Sequence, residues 1–279
     1  MGYVVERAGL PCESMTVTAN FDPSAIRTVV IDIGGTGLKA TVLDAHGEPV
    51  HDRVRVDTTY PCPPDKLVGD LVELVKSLPS YDRVSAGFPG VVRDGHVLTA
   101  PHFVTTHGPG SRVDAALTEK WTGFDLRGAL SAALNAPVRV ANDADVQGAG
   151  TVSGHGLELV LTLGTGLGSA VFRDGRLALH LELAHHPAPK GGTYNDYVGD
   201  RARKVLGIKR WNQRVRQALV AIDALICPDT ILIGGGNAER VDTRKLSDKL
   251  PTLGAKVRLV GNEGGLLGGI RLWEDAGLN

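Results

Sequence analysis

The sequence is poor in cysteine, with three residues in 279, at Cys12, Cys62 and Cys227. Such widely separated thiols offer neither the dense set of a disulfide-stabilised small domain nor the closely spaced pairs of a cysteine-rich zinc site. We therefore expect no disulfide framework and no structural zinc in this protein.

The chain also lacks a long apolar run and an excess of charge. No stretch approaches the roughly 20 apolar residues of a membrane-spanning helix, and Glu6 and Arg7 interrupt an N-terminus that has no signal-peptide layout. A formal net charge of -1 gives no overall attraction to nucleic acid. These absences predict a cytoplasmic protein with neither a membrane nor a nucleic-acid partner.

Glycine, by contrast, is abundant, with 36 residues. The tetrapeptide Gly-Thr-Gly-Leu occurs at 35–38 and again at 164–167, each time between an apolar run and an alternating one. Both units then end in a turn, at 45–47 and 173–175. Two similar units of strand, glycine loop and strand predict a duplicated architecture in which each half presents a glycine loop to a shared cleft.

Glycine loops of this kind are suited to phosphate. Because glycine has no Cβ, its backbone can approach a polyanion closely and adopt positive φ, so that successive N–H groups converge on phosphate oxygens. Thr36 and Thr165 would add hydroxyl donors. The alternative is that both loops are tight hairpin turns, which the repetition disfavours. Neither loop is a Walker A motif or a dinucleotide-binding Gly-x-Gly-x-x-Gly turn before a helix.

Hydrophobic periodicity predicts an α/β chain with an N-terminal extension at 1–25, one lobe at 26–141 and a second lobe at 142–279, whose final helix is expected to pack back on the first. Segment 99–123 is predicted to be a long functional loop. The predicted strands are 28–33, 37–44, 50–57, one just before Gly87, 137–141, 157–163, 167–173, 176–181 and 230–233. The predicted helices are 65–78, 125–134, 196–206, 210–226, 242–250 and one from 264.

Asn142 and Asp143 follow a short predicted strand, at the sheet edge where ligands of α/β proteins gather. A carboxylate at Asp143 can accept the proton of an attacking hydroxyl in phosphoryl transfer, while Asn142 would hydrogen-bond to a polyol. The alternative is a helix N-cap, which Asn or Asp before a helix usually is. Asp145 is interpreted as an acid in the first turn of that helix.

Glu182 and His185 follow the strand after the second glycine loop, where both side chains would turn toward one ligand and meet adjacent sugar hydroxyls. The simpler explanation is a surface strand end. A metal site is disfavoured, because the pattern His-Glu-x-x-His is absent and no cysteine is near.

Gly234, Gly235 and Gly236 follow a strand of buried type. A tight turn from strand to helix needs only one or two glycines. Three in succession therefore favour close backbone contact with a nucleobase or ribose.

The segment from Arg201 to Arg216 holds seven basic residues and no acidic one. In a chain of near-neutral net charge, this local excess indicates a track for an extended polyphosphate. The solvated face of two helices explains it equally well.

Together these motifs resemble the ROK family of sugar kinases, within the fold group of actin, hexokinase and the heat-shock chaperone ATPases. The matching motifs of the family are its first phosphate motif at 32–37, its sugar and catalytic-base motif at 142–145, its second phosphate motif at 163–166 and its adenosine motif at 234–236. The segments that are most similar to the polyphosphate glucokinase branch are 87–90, 121–126, 190–197 and 262–269. The resemblance implies a two-lobed actin-like ATPase (ribonuclease H-like) fold, with a duplicated βββαβα core and an active-site cleft between the lobes.

The resemblance also implies an activity, which is phosphoryl transfer from polyphosphate or ATP, with Mg²⁺, to the 6-hydroxyl of glucose. Asp143 would be the catalytic base, and Asp32 would orient Mg²⁺ through water. The residues implied to hold the sugar are Asn142, Glu182, His185, Gly87 and Gly90. The residues implied to bind the donor phosphates or nucleotide are Asp32, Gly34, Gly35, Thr36, Gly37, Lys39, Gly164, Thr165, Gly166, Gly234, Gly235 and Gly236. We also expect a homodimer.

Three departures from the family pattern stand out. Ala184 stands where glycine is usual, and the cysteine-rich zinc motif of many members is missing, as it is in the polyphosphate branch. In addition, 99–103 stands where related kinases carry an asparagine that touches the sugar, and Asn195 stands where relatives often have glutamate. They leave open a kinase for another hexose, such as mannose or fructose, and a sugar-binding pseudokinase. A regulator of the same family would need a DNA-binding module, for which the extension at 1–25 is short.

Overall fold

The computed structural model describes residues 26–189, 191–261 and 264–274. The predicted extension at 1–25 lies outside the described residues. The strands are β1 Thr28–Ile33, β2 Leu38–Leu43, β3 Val54–Val56, β4 Arg83–Phe88, β5 Val92–Arg93, β6 His96–Val97, β7 Phe124–Asp125, β8 Val138–Asn142, β9 Leu157–Leu163, β10 Leu167–Arg173, β11 Arg176–Leu177, β12 Thr230–Gly234 and β13 Val257–Leu259. The helices are α1 Pro64–Val75, α2 Ala115–Trp121, α3 Leu126–Leu134, α4 Asp143–Ala149, α5 Tyr194–Val198, α6 Asp200–Ile226, α7 Thr243–Lys249, α8 Pro251–Lys256 and α9 Gly264–Arg271.

Two five-stranded sheets share one topology. The first has the order β3-β2-β1-β4-β8 and the second the order β11-β10-β9-β12-β13. In each sheet the first three strands along the chain form an antiparallel meander, and two later strands join in parallel after crossovers. Each sheet buries its own cluster of aliphatic and aromatic side chains. The duplication predicted from the two glycine units is therefore present in the strand order.

Parallel pairing brings the functional strand ends to one edge of the first sheet. Asp32 near the end of β1 lies opposite Gly87 of β4, which in turn lies opposite Ala141 of β8. Residues that follow these strands, Asn142 and Asp143 included, therefore gather where ligands of open α/β sheets bind.

Helix α4, which begins at Asp143, is held by α9 through close glycine contacts. A Cβ on Gly268 would lie 1.6 Å from the carbonyl oxygen of Val146, so only glycine allows this approach. On its other side, α9 packs on β1, where Gly269 lies against Val30. The start of α4 is thus fixed between elements of both halves.

Most predicted elements are confirmed, and the corrections fall in three regions: two strands of the second sheet, the basic helices and segment 99–123. The predicted strand at 176–181 is only two residues long, as β11, and β13 was missed because three residues carry too little periodicity. Helix α6 runs through the two predicted basic helices but breaks at Gly207, whose φ of 74° is left-handed.

The third correction concerns segment 99–123, which is not simply a long loop. It contains α2 and buries Phe103 and Trp121 in a cluster of rings whose neighbouring centroids lie 5.4–6.3 Å apart. The indole N–H of Trp121 donates to the carbonyl of Cys62 at 3.0 Å. Aromatic packing therefore anchors the segment over the first sheet.

Candidate active site

The first glycine loop joins β1 to β2 through four residues. The N–H of Gly34 donates to the carbonyl of Gly37, and the carbonyls of Gly34 and Gly35 accept from Thr58 Oγ1 and Tyr60 OH, each at 2.7 Å. The carbonyl of Thr36 accepts from the N–H of Thr58 at 3.4 Å. All four carbonyls are therefore occupied by protein donors.

The N–H groups of the same loop have fewer hydrogen-bond partners than its carbonyls. Within the described part of the chain, those of Gly35, Thr36 and Gly37 have no acceptor. Unpaired N–H groups on a backbone whose carbonyls are satisfied attract anions. The loop therefore has the electrostatic character that phosphate binding requires.

Glycine is required here by space and not by backbone conformation. The prediction that these loops use positive φ is wrong, because neither loop contains a left-handed glycine. A Cβ on Gly35 would instead lie 2.7 Å from Cγ of Pro109 and 2.9 Å from Cγ of His102. The anchored segment 99–123 thus covers the first loop, which sequence periodicity gave no means of predicting.

The second glycine loop joins β9 to β10 through three residues and repeats the pattern. Gly164 N–H donates to the Gly166 carbonyl, and the carbonyls of Gly164 and Thr165 accept from the N–H of Asp200, the first residue of α6. Among the described residues, the N–H groups of Thr165 and Gly166 find no acceptor. Asn195 holds the C-terminal end of the loop, because its Oδ1 accepts from the N–H of Leu167 at 2.7 Å.

The third glycine run lies beside the second loop. Gly235 has a φ of 86°, and a Cβ there would lie 2.6 Å from the carbonyl oxygen of Leu163. Gly234 ends β12 in a buried position, whereas Gly236 is exposed with open space around its Cα. Asn237 then ties the run to the second loop by donating to the Gly164 carbonyl at 3.3 Å.

Asn142 is the N-cap of α4, so the alternative considered for this motif describes Asn142 and not Asp143. Its Oδ1 accepts from the N–H groups of Ala144 and Asp145, and its Nδ2 donates to the Gly90 carbonyl at 3.0 Å. The side chain is 6% exposed. Asn142 therefore fixes the start of α4 on the segment that follows β4.

Asp143 is the first residue of α4, and its side chain is open to solvent. Gly87 lies against it, since a Cβ on Gly87 would be 3.4 Å from the Asp143 Cα. Within the described residues it has no cationic partner; Oδ1 accepts only from the N–H of Ala144. It is thus a carboxylate available to a ligand.

The pKa of Asp143 is raised to about 7. Its surroundings of protein on several sides desolvate the carboxylate, and the charges of Asp32, Glu182 and Asp145 raise the pKa further, whereas the hydrogen bond from Ala144 N–H lowers it. A carboxylate with this pKa is half-protonated near neutral pH, which suits a group that accepts and releases a proton.

Asp32 belongs to the same cluster of carboxylates, but it forms an ion pair. Its Oδ2 accepts from Lys39 Nζ at 2.8 Å, and the side chain is 52% exposed. A solvent-facing carboxylate oxygen is the donor type that Mg²⁺ takes, usually with several waters retained. The described residues contain no group of three His, Cys, Asp or Glu side chains arranged for a metal ion.

Glu182 directly precedes a short 3₁₀ helix, Leu183–His185, and His185 is its last residue. Glu182 is half-buried and close enough for its charge to raise the pKa of Asp143, whereas His185 is exposed. His102, from the first half, is half-buried; burial and the nearby His185 lower its pKa. The structure therefore places Glu182 near Asp143 and His185 near His102.

His180 is a site residue that the sequence analysis missed. Its Nδ1 lies 3.0 Å from Asp145 Oδ2 and its Nε2 lies 3.5 Å from Glu182 Oε2. Burial lowers its pKa, but the hydrogen bonds to Asp145 and Glu182 outweigh this and raise it to about 10. The sequence signal that could have found His180 is its spacing from Glu182, because residues two apart on an extended chain lie on the same face.

The basic segment forms the start of α6, directly after the second glycine loop. Asp200 pairs with both Arg203 and Lys204, so two of the seven cations share one carboxylate. Arg201, Lys209 and Arg210 are exposed and have no ion pair within the described residues. In the same part of the chain, no helix has the length and apolar character needed to cross a membrane.

Comparison with known proteins identifies the family. A model of the ROK family matches residues 28–180, more than half of the chain. This chain belongs to the ROK family. It is 30% identical over 251 residues to the polyphosphate glucokinase of Mycobacterium leprae, a match that spans 85% of this chain and 72% of that protein.

Solved structures from the ROK family have the same fold. An inorganic polyphosphate/ATP-glucomannokinase from Arthrobacter sp. strain KM matches with a TM-score of 0.69 and 28% identity, over 88% of this chain and 97% of its own. A ROK glucokinase from Streptomyces griseus, solved with glucose and AMPPNP, matches with a TM-score of 0.68 and 19% identity, over 88% and 98%. The predicted actin-like ATPase fold is confirmed.

Proposed function

We propose that this protein is a sugar kinase that transfers a phosphoryl group to a hexose hydroxyl, with Asp143 as the catalytic base. The observation that carries the proposal is the pairing pattern of the two glycine loops: their carbonyls are satisfied, while the N–H groups of 35–37 and 165–166 have no acceptor in the described chain. Two anion-receptive loops near one carboxylate without a cationic partner suit phosphoryl transfer to an alcohol.

Asp143 removes the proton of the attacking hydroxyl. Its raised pKa makes it a stronger base than an ordinary aspartate, and its exposed side chain is accessible to a substrate. Glu182 and His185 hold neighbouring sugar hydroxyls. Gly90 and Asn142 act mainly by fixing the start of α4, with the second amide hydrogen of Asn142 left for the sugar.

The two loops hold the donor phosphates through their free N–H groups and the hydroxyls of Thr36 and Thr165. Lys39 adds positive charge next to Asp32. Asp32 would hold Mg²⁺ through water, and the ion would supply positive charge to the donor phosphates. Gly234, Gly235 and Gly236, beside the second loop, form the surface for the nucleoside when ATP is the donor.

We propose glucose as the hexose and polyphosphate, ATP or both as the donor. The similarity to a polyphosphate glucokinase and to a polyphosphate/ATP-glucomannokinase supports this assignment. The exposed cations Arg201, Lys209 and Arg210 support polyphosphate in particular, because they lie on the helix that starts at the second glycine loop, which would hold donor phosphates behind the reacting one.

The experiment is a coupled assay of purified protein with Mg²⁺, in which glucose, mannose and fructose are each combined with ATP or long-chain polyphosphate. We expect glucose 6-phosphate with at least one donor. Turnover of mannose or fructose alone would replace glucose as the substrate. Hexose binding by calorimetry without turnover under any condition would favour a sugar-binding pseudokinase.

A further inference from the structure

The backbone on both sides of Glu182 is held by hydrogen bonds to one buried side chain. Ser169, buried on β10, donates from Oγ to the carbonyl of Leu181 and accepts there from the N–H of Leu183 at 3.3 Å. These two bonds lie on either side of Glu182 and fix its backbone. They leave its carboxylate to be oriented by some other group.

That other group is His180. Its ring is 13% exposed and lies between the carboxylates of Asp145, which is 5% exposed, and Glu182. Carboxylates accept hydrogen bonds, and imidazole donates from both nitrogens only when it is protonated. A ring placed between two carboxylates is therefore an imidazolium that donates to each.

Asp145 connects this ring to the catalytic helix. It lies in the first turn of α4, two residues after Asp143, and its N–H donates to the Asn142 cap. Buried carboxylates that have lost water are stable only with such a partner. A continuous path therefore joins the proposed base, Asp143, to the proposed sugar ligand, Glu182. It runs along the first turn of α4 to Asp145 and then through the two ion pairs of His180.

We propose that His180 is a positioning residue for substrate, which holds the Glu182 carboxylate in register with Asp143 so that the two groups engage one hexose. The proposal rests on the function proposed above. His180 donates to Oε2 of Glu182 and leaves Oε1 to accept from a sugar hydroxyl. Its positive charge also offsets the repulsion between Glu182 and Asp145.

The test is a double-mutant cycle with His180→Gln, Glu182→Gln and the double variant. Each single change should raise the KM for hexose about tenfold, as expected for loss of a charge-assisted hydrogen bond, and leave the KM for the donor within about twofold. Because His180 acts through Glu182, the double variant should be no worse than Glu182→Gln alone. His155→Gln, an exposed histidine in the turn before β9, is the matched control.

Effects that multiply in the double variant, or an equal rise in the KM for the donor, would overturn the proposal. If His180→Gln does not fold, the pair Asp145→Asn with His180→Gln removes the buried charge together with its partner and replaces it in the cycle. If the wild type gives no turnover with either donor, the proposed function fails, and the same cycle is then read from hexose affinity by calorimetry. If the effects of the His180 and Glu182 substitutions on hexose affinity are independent of each other, the His180 proposal is wrong regardless of the proposed function.

Discussion

The two glycine loops have the same hydrogen-bond logic but different surroundings. Each is closed by an internal bond from its first glycine, and each has its carbonyls occupied and its later N–H groups free within the described chain. The first loop has four residues and is covered by His102 and Pro109. The second has three, with open space at Gly164 and the N-terminus of a basic helix next to it.

This difference indicates a division of labour between the halves. A covered loop that closely follows Asp32 suits the transferring phosphoryl group, from which water must be excluded. An open loop that continues into exposed cations suits the rest of a long or variable donor. The duplicated sheet supplies two loops with equivalent hydrogen-bond patterns, and the segments around the loops differ.

The largest expected effect comes from changing the proposed catalytic base, Asp143. Asp143→Asn should lower kcat by about 10²–10⁴-fold, the usual contribution of a general base, with a much smaller change in hexose affinity. In the wild type, kcat/KM should fall below pH 7 as Asp143, whose pKa is about 7, becomes protonated. Kinetics over pH 5–9 measure both.

Stability provides the control for this variant. Because the folded-state pKa of Asp143 is raised above 3.8, the folded protein loses stability relative to the unfolded chain as pH rises from about 4 to about 7. Asp143→Asn should therefore melt no lower than the wild type at pH 8. Near-normal turnover in a folded Asp143→Asn protein would show that the base lies elsewhere.

The covered loop should be the more sensitive of the two to a single methyl group. Gly35→Ala would push a Cβ into Pro109 and His102, so the 99–123 segment must move. We expect kcat/KM to fall about 10²-fold for every donor, since a displacement near 1 Å can misalign the reacting groups to that extent. Steady-state kinetics with both donors measure it, and a loss confined to polyphosphate would contradict the proposed role.

The basic helix should sharpen the contrast between donors. Changing Arg201, Lys209 and Arg210 together to Ser should raise the KM for long-chain polyphosphate about tenfold at low salt, and less at roughly 0.5 M salt, because screening shortens the reach of surface charge. The KM for ATP should barely change. The matched control changes Lys120, Arg244 and Lys249, exposed cations elsewhere, to Ser. Equal losses with both donors would indicate damaged packing of α6.

The smallest effects should separate two glycines of the open loop. Gly166→Ala would bring a Cβ to 2.1 Å from Asn195 Oδ1 and break its bond to Leu167, so we expect the donor KM to rise about fivefold, as for one lost hydrogen bond. Gly164→Ala meets nothing within 4 Å and should change the KM less than about twofold. A large effect at Gly164 would mean that bound donor occupies the space where the new methyl group lies.

The duplicated strand units, the two glycine loops between their strands and a carboxylate after a strand at Asp143 could all be predicted from the amino-acid sequence. These features follow from local periodicity and turn chemistry, which act over a few neighbouring residues. The sequence also carried the family resemblance, through motifs in a fixed order. Predictions of role for Asn142, Glu182 and His185 rested on their positions at strand ends.

The way in which distant segments complete the site became visible only in the folded chain. His102 and Pro109 cover Gly35, Thr58 and Tyr60 occupy its loop carbonyls, and His180 joins Asp145 to Glu182. The structure also showed that space, and not positive φ, requires glycine in the first loop. Such contacts depend on side-chain packing between residues far apart in the chain, for which a single sequence has no local signal.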